Sequence, residues 1–258
     1  MPRLRALIFD IDGTLAETER DGHRVAFNRA FADLGLDWRW DDATYCRLLS
    51  VTGGKERILH HWRSVDPDGA SRPWTQTRVA DIHRRKSAHY ETLVSQGAIA
   101  LRPGVRRLLH EARDAGVRLA IATTTTLGNV TALLRHGLGA DGEAWFEVIG
   151  AGDVVPRKKP APDIYLKVLG DLKLRPEDCV AVEDSAHGLA AAAAAGLDTV
   201  ITRSTYTRSD TFPGAVAVLD HLGEPDTPAE GTVRDLPWRG HVSLRTLETW
   251  HGTLAAAG

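Results

Sequence analysis

The sequence predicts an α/β protein in which a Rossmann-like parallel sheet carries a helical insertion after its first strand. From residue 102 to residue 219, short apolar runs of strand length alternate with helical patterns, which is typical of a parallel sheet with right-handed crossovers. Between residues 16 and 96, apolar residues follow helical spacing, and no convincing alternating strand pattern occurs. With 258 residues, the chain is long enough for one large domain or two smaller ones.

Each predicted element follows from its local pattern. An apolar run at residues 6–9 predicts the first buried strand, and Gly13 breaks the pattern soon after it. The insertion takes its helical spacing from residues 24–36, 45–49, 58–62 and 79–94. Beyond it we predict strands at residues 118–122, 148–149, 179–182, 199–201 and 216–219, and helices at residues 105–115, 130–135, 164–169, 189–195 and 244–250.

These patterns divide the chain into a core domain and a cap. Residues 1–16 and 97–258 form the α/β core, within which residues 224–258 are a C-terminal extension. Residues 17–96 form the helical cap domain. Residues 224–240 are rich in proline and glycine, and they predict an exposed loop or linker.

The bulk composition is that of an ordinary soluble protein and gives no reason to expect nucleic acid or membrane as a partner. The formal net charge is −2, and no apolar run approaches the ~18 residues of a membrane span. Cys46 and Cys179 lie far apart in apolar surroundings, so we interpret them as small core residues in a reducing compartment. The chain runs directly into a strand pattern without a signal peptide, so we expect a cytoplasmic protein. We also expect a monomer.

Two carboxylates follow the first predicted strand, in the string LIFDIDGT at residues 7–14. In an open α/β sheet, ligands bind at the carboxyl ends of the strands. Asp10 and Asp12 would repel each other there unless a cation or a shared proton separates their roles. The simpler alternative for Asp-x-Asp alone is an acidic turn after a strand.

Three further elements lie at or just beyond the ends of predicted strands. Taken singly, Thr123 has the alternative of a helix cap, Lys159 that of a solvated side chain, and Glu183 with Asp184 that of an N-cap pair. Taken together they suit the cleavage of a phosphate ester. Oxygen ligands suit Mg²⁺, Lys159 adds positive charge, and Thr123 donates a hydrogen bond to a phosphoryl oxygen.

These four elements resemble, in order, the four motifs of the haloacid dehalogenase (HAD) superfamily, and the resemblance extends to about residue 219. It implies a HAD catalytic core with a C1-type helical cap. In such a core Asp10 is the nucleophile that forms an aspartyl-phosphate, and Asp12 is the acid that protonates the leaving alcohol and then activates water. Thr123 and Lys159 correspond to the second and third motifs.

The same resemblance implies a magnesium site. Its ligands would be Asp10, the main-chain carbonyl of Asp12, and Asp184. Glu183 would be a ligand or would lie just behind the ligands.

A closer resemblance is to the CbbY and β-phosphoglucomutase branch of the superfamily, through strings such as TGGKERI at residues 52–58 and KPAPD at residues 159–163. It implies a phosphosugar substrate, and for the CbbY proteins hydrolysis of xylulose 1,5-bisphosphate. Glycine amides with nearby cations would hold its second phosphate, although the alternative is a glycine loop with a solvated basic face. The expected substrate-binding residues are Glu17, His23, Arg24, Thr52, Gly53, Gly54, Lys55, Arg57, Thr124 and Thr125.

Several alternatives share this pattern. A haloalkanoic dehalogenase lacks an acid at the position of Asp12, so Asp12 argues against that activity. A phosphosugar mutase and a phosphoglycolate phosphatase use the same core residues, and a catalytically silent HAD-fold binding protein would be favoured by loss of a motif residue, which does not occur. Gly22, ahead of His23, departs from the helical residue expected there. The remaining histidines show no metal-ligand spacing, so we interpret them as surface or packing residues.

Overall fold

A computed structural model describes residues 4–252 of the chain. From α5 to β5 its helices and strands alternate, as the sequence predicts. The strands are β1 (Ala6–Phe9), β2 (Arg118–Ala122), β3 (Val148–Gly150), β4 (Cys179–Glu183), β5 (Asp198–Thr202), β6 (Ala217–Leu219), β7 (Ala229–Val233) and β8 (Leu236–Gly240). The helices are α1 (Arg24–Asp33), α2 (Asp42–Leu48), α3 (Gly54–Val65), α4 (Thr75–Ser95), α5 (Val105–Asp114), α6 (Leu127–Leu138), α7 (Asp163–Leu172), α8 (Ala186–Ala194) and α9 (Leu244–Gly252).

The strands form one sheet in the order β3-β2-β1-β4-β5-β6-β7-β8. From β3 to β6 every neighbouring pair is parallel. The strand β1 lies between β2 and β4, so the segments that follow these three strands leave the sheet side by side. This arrangement brings the acidic segment after β1 next to Thr123 and Glu183.

Strand alternation gives the sheet two apolar faces. Leu7 and Phe9 point into one core cluster, together with side chains of α5, α6 and α9. Ala6 and Ile8 point into a second cluster, formed mainly with α7 and α8. Because a parallel strand covered on both faces needs apolar residues at every position, its sequence is a continuous hydrophobic run.

Helices α1 to α4 fill the insertion. They surround an aromatic cluster of their own, which includes Phe27, Phe31 and Trp40. Helix α4 also contributes Tyr90 to the core cluster beside the sheet. Between residues 17 and 96 the structure contains helices and turns without a strand. The exact domain boundaries at residues 16/17 and 96/97 stay a prediction.

The prediction of a loop at residues 224–240 is wrong, because this segment contains a β-hairpin that extends the sheet with antiparallel strands. Strands β7 and β8 are joined by Arg234 and Asp235, both with positive φ (49° and 64°), as in a type I′ turn. This turn type usually contains asparagine and glycine, and Pro237 argues against a strand. The local sequence therefore conceals the hairpin.

Among the described helices, none is both long and apolar enough to span a membrane. The last helix, α9, is fixed to the core through His251. Its Nδ1 lies 2.9 Å from Asp198 Oδ2, and its Nε2 lies 2.8 Å from the Glu177 carbonyl oxygen. Both partners are acceptors, so the ring satisfies both only as an imidazolium that donates twice. The hydrogen bond to Asp198 accordingly raises the pKa of His251.

We expect His251→Gln to destabilise the protein more at about pH 6 than at about pH 8.5. The pKa of His251 is higher in the folded protein than in the unfolded chain, where it is about 6.5, so the protonated ring stabilises the fold fully below the unfolded-state pKa. This stabilisation is lost as the pH rises through the folded-state pKa. Urea unfolding should show a loss of about 1–2 kcal/mol at the lower pH. His60→Gln, at an exposed position, is the control. An equal decrease in the free energy of unfolding at both pH values would contradict the conclusion that His251 is protonated in the folded protein.

Candidate active site

Asp10 and Lys159 form a buried ion pair at the end of β1. Asp10 follows the strand directly, and its main-chain nitrogen donates to the Val182 carbonyl of β4 at 3.0 Å. Lys159, from the loop between β3 and α7, donates to Asp10 Oδ1 at 2.7 Å. The two residues are 7% and 5% exposed. Since little water screens this pair, its electrostatic attraction is strong.

Glu183 forms a second ion pair with the ammonium group of Lys159. Its Oε1 accepts hydrogen bonds from Lys159 Nζ at 2.5 Å and from the Tyr165 hydroxyl at 2.6 Å. Burial alone would lower the pKa of Lys159, but Asp10 and Glu183 raise it above its usual range. Lys159 is therefore a permanent ammonium, and Glu183 and Tyr165 fix its position beside Asp10.

Asp10, Glu183 and Asp184 form a buried acidic cluster whose possible ligand oxygens lie within 4.8 Å of one another. Burial and mutual repulsion raise the pKa of Asp184 well above its usual range. Burial also raises the pKa of Asp10, to about 7, although Lys159 opposes this rise. With all three carboxylates ionised, the cluster would carry more negative charge than Lys159 compensates, which adds to the effect of burial on the pKa values of Asp10 and Asp184, and its donors are all oxygen atoms. Such a donor set fits a hard divalent cation.

Gly13 allows the acidic cluster to form. Its φ is +85°, and a Cβ at this position would lie 2.1 Å from Asp184 Oδ2. A side chain would therefore be strained by the backbone and would also displace a carboxylate. The buried guanidinium of Arg102 donates to the Gly13 carbonyl and, at 2.9 Å, to the Thr202 carbonyl. Arg102 thereby ties the loop after β1 to the end of β5.

Asp12 does not belong to this cluster and has its own hydrogen-bond partners. Its Oδ1 accepts from the Thr18 hydroxyl at 2.6 Å and lies 2.8 Å from His23 Nε2. Burial raises its pKa, but His23 and Thr18 outweigh this effect and lower the pKa to about 2. On the other side of the ring, Lys86 Nζ lies 2.7 Å from His23 Nδ1. A chain of contacts thus runs from helix α4 to Asp12.

The cluster opens into a cavity of about 320 Å³ between the carboxyl ends of the central strands and helices α2 and α3. Asp10, Asp12, Thr123, Lys159 and Asp184 lie on its wall. A smaller cavity of about 40 Å³ adjoins it. The two share part of their walls, namely Asp12, Glu19, Gly53, Arg57 and Thr124.

A family model for haloacid dehalogenase-like hydrolases matches residues 4–196. The chain belongs to this family. It is therefore a hydrolase, and the predicted core motifs lie within the matched segment.

Relatives of this HAD hydrolase include CbbY proteins. Protein CbbY of Cupriavidus necator is 49% identical over 98% of this chain and 100% of its own length. Protein CbbY of Cereibacter sphaeroides is 50% identical over 86% of this chain and 94% of its own length.

Solved structures lead to the same relatives. CbbY from Rhodobacter sphaeroides in complex with phosphate has a TM-score of 0.80 at 50% identity, covering 86% of this chain and 96% of that one. A mutant of that protein, in complex with xylulose-(1,5)bisphosphate, matches with a TM-score of 0.80 at 49% identity over 86% of this chain and 96% of that one. β-Phosphoglucomutase from Clostridium difficile shares the fold at 18% identity, with a TM-score of 0.74 over 98% of this chain and 99% of that one.

In the HAD hydrolase described here, most of the predicted substrate-binding residues lie on the walls of the two cavities. These are His23, Thr52, Gly53, Gly54, Arg57, Thr124 and Thr125. Arg57 is buried, with its Nη1 donating to the Tyr45 hydroxyl at 2.9 Å and its Nε to the Leu48 carbonyl at 3.2 Å. These contacts hold the guanidinium in place on the cavity wall. Arg57 is thus a residue of the insertion that lies on the wall of the cavity beside Asp10.

Three predicted substrate-binding residues do not lie on either wall. Glu17 accepts from the Thr205 main chain at 3.2 Å, and Arg24 Nε lies 3.2 Å from Asp42 Oδ1. Lys55 Nζ donates to Asp153 Oδ2 at 2.8 Å, so it joins helix α3 to the loop after β3. Contact of these three side chains with a substrate has no support from this geometry.

Gly22 has a packing reason that its sequence does not reveal. A Cβ at this position would lie 2.5 Å from Ile99 Cδ1 and 3.0 Å from Tyr90 Cε2. The absence of a side chain lets the π-helical turn Glu19–His23 approach helix α4. The ring of His23 then stacks on Tyr90, with centroids 4.3 Å apart. Gly22 therefore supports the position of His23.

Lys86 is a site residue that the sequence interpretation missed. It belongs to the basic run HRRK at residues 83–86, a pattern typical of a solvated helix face, yet it is 4% exposed. The position of Lys86 in the helical pattern indicates that its side chain is buried. Lys86 falls four residues after Ile82 and four before Tyr90, both on the buried face of α4. A lysine on an apolar stripe is costly to bury without a partner.

The prediction for Cys46 as a core residue is wrong, and two histidines that the sequence indicates as surface or packing residues lie on cavity walls. Cys46 is exposed and lies on the wall of the larger cavity, whereas Cys179 is buried as predicted. His187 lies on the same wall, where its Nδ1 is 3.3 Å from the Thr52 hydroxyl. His83 lies on the wall of the smaller cavity. Neither histidine shows a local motif, because chain segments distant in sequence create these walls.

Proposed function

We propose that the protein is a Mg²⁺-dependent phosphatase that hydrolyses a phosphate ester of a sugar bisphosphate through an aspartyl-phosphate on Asp10. Its most suitable substrate is xylulose 1,5-bisphosphate, the compound bound to the related CbbY mutant. The observation that carries the proposal is the buried Asp10–Lys159 pair on the cavity wall, at 2.7 Å. A carboxylate nucleophile beside a permanent cation suits attack on a dianionic ester.

In the first step, an Asp10 oxygen attacks phosphorus while the bond from phosphorus to the sugar oxygen breaks. Asp12, protonated when substrate lies against it, gives its proton to that oxygen, and the alcohol leaves. In the second step, Asp12 takes a proton from water, whose oxygen attacks phosphorus and releases phosphate and free Asp10. Thr18 and His23 favour the ionised form of Asp12 that this second step requires.

Asp10, Asp184 and the main-chain carbonyl of Asp12 would hold Mg²⁺. When bound, the ion would neutralise charge on the phosphoryl group and on the nucleophile. Glu183 suits a supporting role better than that of a ligand, because Lys159 and Tyr165 already occupy its Oε1. Lys159 would stabilise negative charge on the phosphoryl oxygens, and Thr123 would donate a hydrogen bond to one of them.

The adjoining cavities support a substrate with two phosphates. The reacting phosphate would lie beside Asp10 in the larger cavity, and Gly53, Gly54, Thr124 and Thr125 would hold the second one. Gly53 can approach the core loop after β3, and Gly54 can approach helix α4, because they lack side chains. A Cβ on Gly53 would lie 2.7 Å from Lys158 Nζ, and one on Gly54 would lie 2.7 Å from His83 Nε2.

The test is a panel of sugar bisphosphates, sugar monophosphates, phosphoglycolate and β-glucose 1-phosphate, with Mg²⁺ or with a chelator. We expect kcat/KM for xylulose 1,5-bisphosphate to exceed that for the monophosphates by about ten- to a hundred-fold, since each charge-assisted contact contributes roughly 1.5–3 kcal/mol. Chelation should abolish turnover, and Mg²⁺ should restore it. Release of glucose 6-phosphate instead of inorganic phosphate would identify a mutase.

A further inference from the structure

His83 lies on the wall of the smaller cavity without a fixed hydrogen-bond partner. It comes from helix α4, three residues before Lys86. Its Nε2 lies against Gly54, at the start of helix α3. In the described part of the chain, neither ring nitrogen makes a hydrogen bond. The ring is therefore free to bind a group that enters the cavity.

Burial and several basic side chains act on His83. Burial lowers the pKa of His83 to about 3, and Lys86, Lys55, Lys158 and His23 add to this effect. Lys86 comes from the same helix, Lys55 from α3, Lys158 from the loop after β3, and His23 from the turn before α1. Lys55 is paired with Asp153 and Lys158 with Glu56, and Asp12 and Glu19 lie on the wall of the same cavity. Burial and the basic side chains together keep the imidazole neutral in the free protein.

Two helices direct their positive ends to the same place. Helix α3 begins at Gly54, and helix α6 begins at Leu127, after the cavity residues Thr124, Thr125 and Thr126. Neither N-terminus has a side-chain cap. The main-chain N–H groups of these turns therefore add to the positive field of the cations.

The smaller cavity lies within reach of the reacting centre, because Asp12, Gly53 and Thr124 belong to the walls of both cavities. A molecule with a phosphate beside Asp10 can therefore place a second anionic group next to His83. An incoming dianion would reverse the local field. The same ring that is neutral in the free protein would then be favoured as an imidazolium and would donate a strong hydrogen bond.

We propose that His83 binds the second anionic group of the substrate and takes up a proton from solvent as that group enters. This inference rests on the proposed function. According to this inference, His83 contributes to the specificity of the enzyme for bisphosphates over monophosphates. Because proton uptake is part of binding, the contribution of His83 must decrease as pH rises.

The test compares wild type with His83→Gln at about pH 6 and at about pH 8.5. For each protein, kcat/KM for xylulose 1,5-bisphosphate is divided by kcat/KM for p-nitrophenyl phosphate, which cancels effects on the core. We expect this ratio to fall about ten- to a hundred-fold in the variant at the lower pH, and by much less at the higher pH. His60→Gln, at an exposed position on α3, should match wild type at both pH values.

The outcomes separate this inference from the proposed function. A wild-type enzyme that does not prefer the bisphosphate at either pH would overturn both. If wild type prefers it and His83→Gln keeps the same ratio, the role of His83 is refuted and the phosphatase proposal stands. A loss of equal size at both pH values would also refute proton uptake by His83.

Discussion

Asp10→Asn should reduce turnover of the sugar bisphosphate by about 10⁴-fold or more, because the variant cannot form the aspartyl-phosphate. Asparagine nearly matches aspartate in size, so the end of β1 should keep its structure. Lys159 would retain Glu183 as its counter-ion, at 2.5 Å. The fold should therefore survive while the chemistry is lost.

Steady-state release of phosphate measures this loss, and mass spectrometry of the same sample excludes deamidation back to aspartate. Thermal unfolding should differ little from that of wild type. A matched control is Asp114→Asn, which changes an exposed carboxylate at the end of α5, outside the larger cavity. Activity above about a hundredth of the wild-type value in a sample free of deamidation would refute Asp10 as the nucleophile.

Asp12→Asn should slow the enzyme by about 10²–10⁴-fold, the usual contribution of a positioned acid or base. The structure gives this carboxylate a different environment from that of Asp10. It bonds to Thr18 and His23 and lies outside the acidic cluster. Its removal should therefore affect proton transfer more than the attack on phosphorus.

Rapid-quench experiments with an activated ester distinguish the two roles. A good leaving group needs no proton, so Asp12→Asn should still form the aspartyl-phosphate and should accumulate it as hydrolysis slows. Asp10→Asn should form none. Asp21→Asn, a nearby exposed carboxylate, serves as the control. If Asp12→Asn hydrolysed the intermediate at the wild-type rate, Asp12 would not be the base.

The centre of the sheet could be predicted because its strands are buried on both faces. Residues 6–9 and 179–182 are apolar throughout, and each run stops at a carboxylate or next to one. The hairpin at the other end could not be predicted in this way. Arg234 and Asp235 form a turn in which glycine is usual, and the main-chain nitrogen of Arg234 donates to the Val216 carbonyl at 3.0 Å, a contact between residues distant in sequence.

The site shows the same division. Asp10, Lys159 and Asp184 could be predicted because each follows a strand in a recognisable string. Lys86 and His83 could not, since they reach their cavities through the packing of one helix against the core. The prediction for Lys55 has no support from the geometry. The glycine-rich string around this residue predicts a phosphate contact, but Asp153 binds its ammonium group at 2.8 Å.

Strand β8 forms one free edge of the sheet. Val233 and Leu236 flank the two-residue turn as a hydrogen-bonded pair, so the next pair, Thr232 and Pro237, is not hydrogen-bonded. The nitrogen of Pro237 consequently faces outward, where a strand from another molecule would need an N–H donor. The residue that conceals this strand in the sequence thus also protects the edge against aggregation by intermolecular strand pairing.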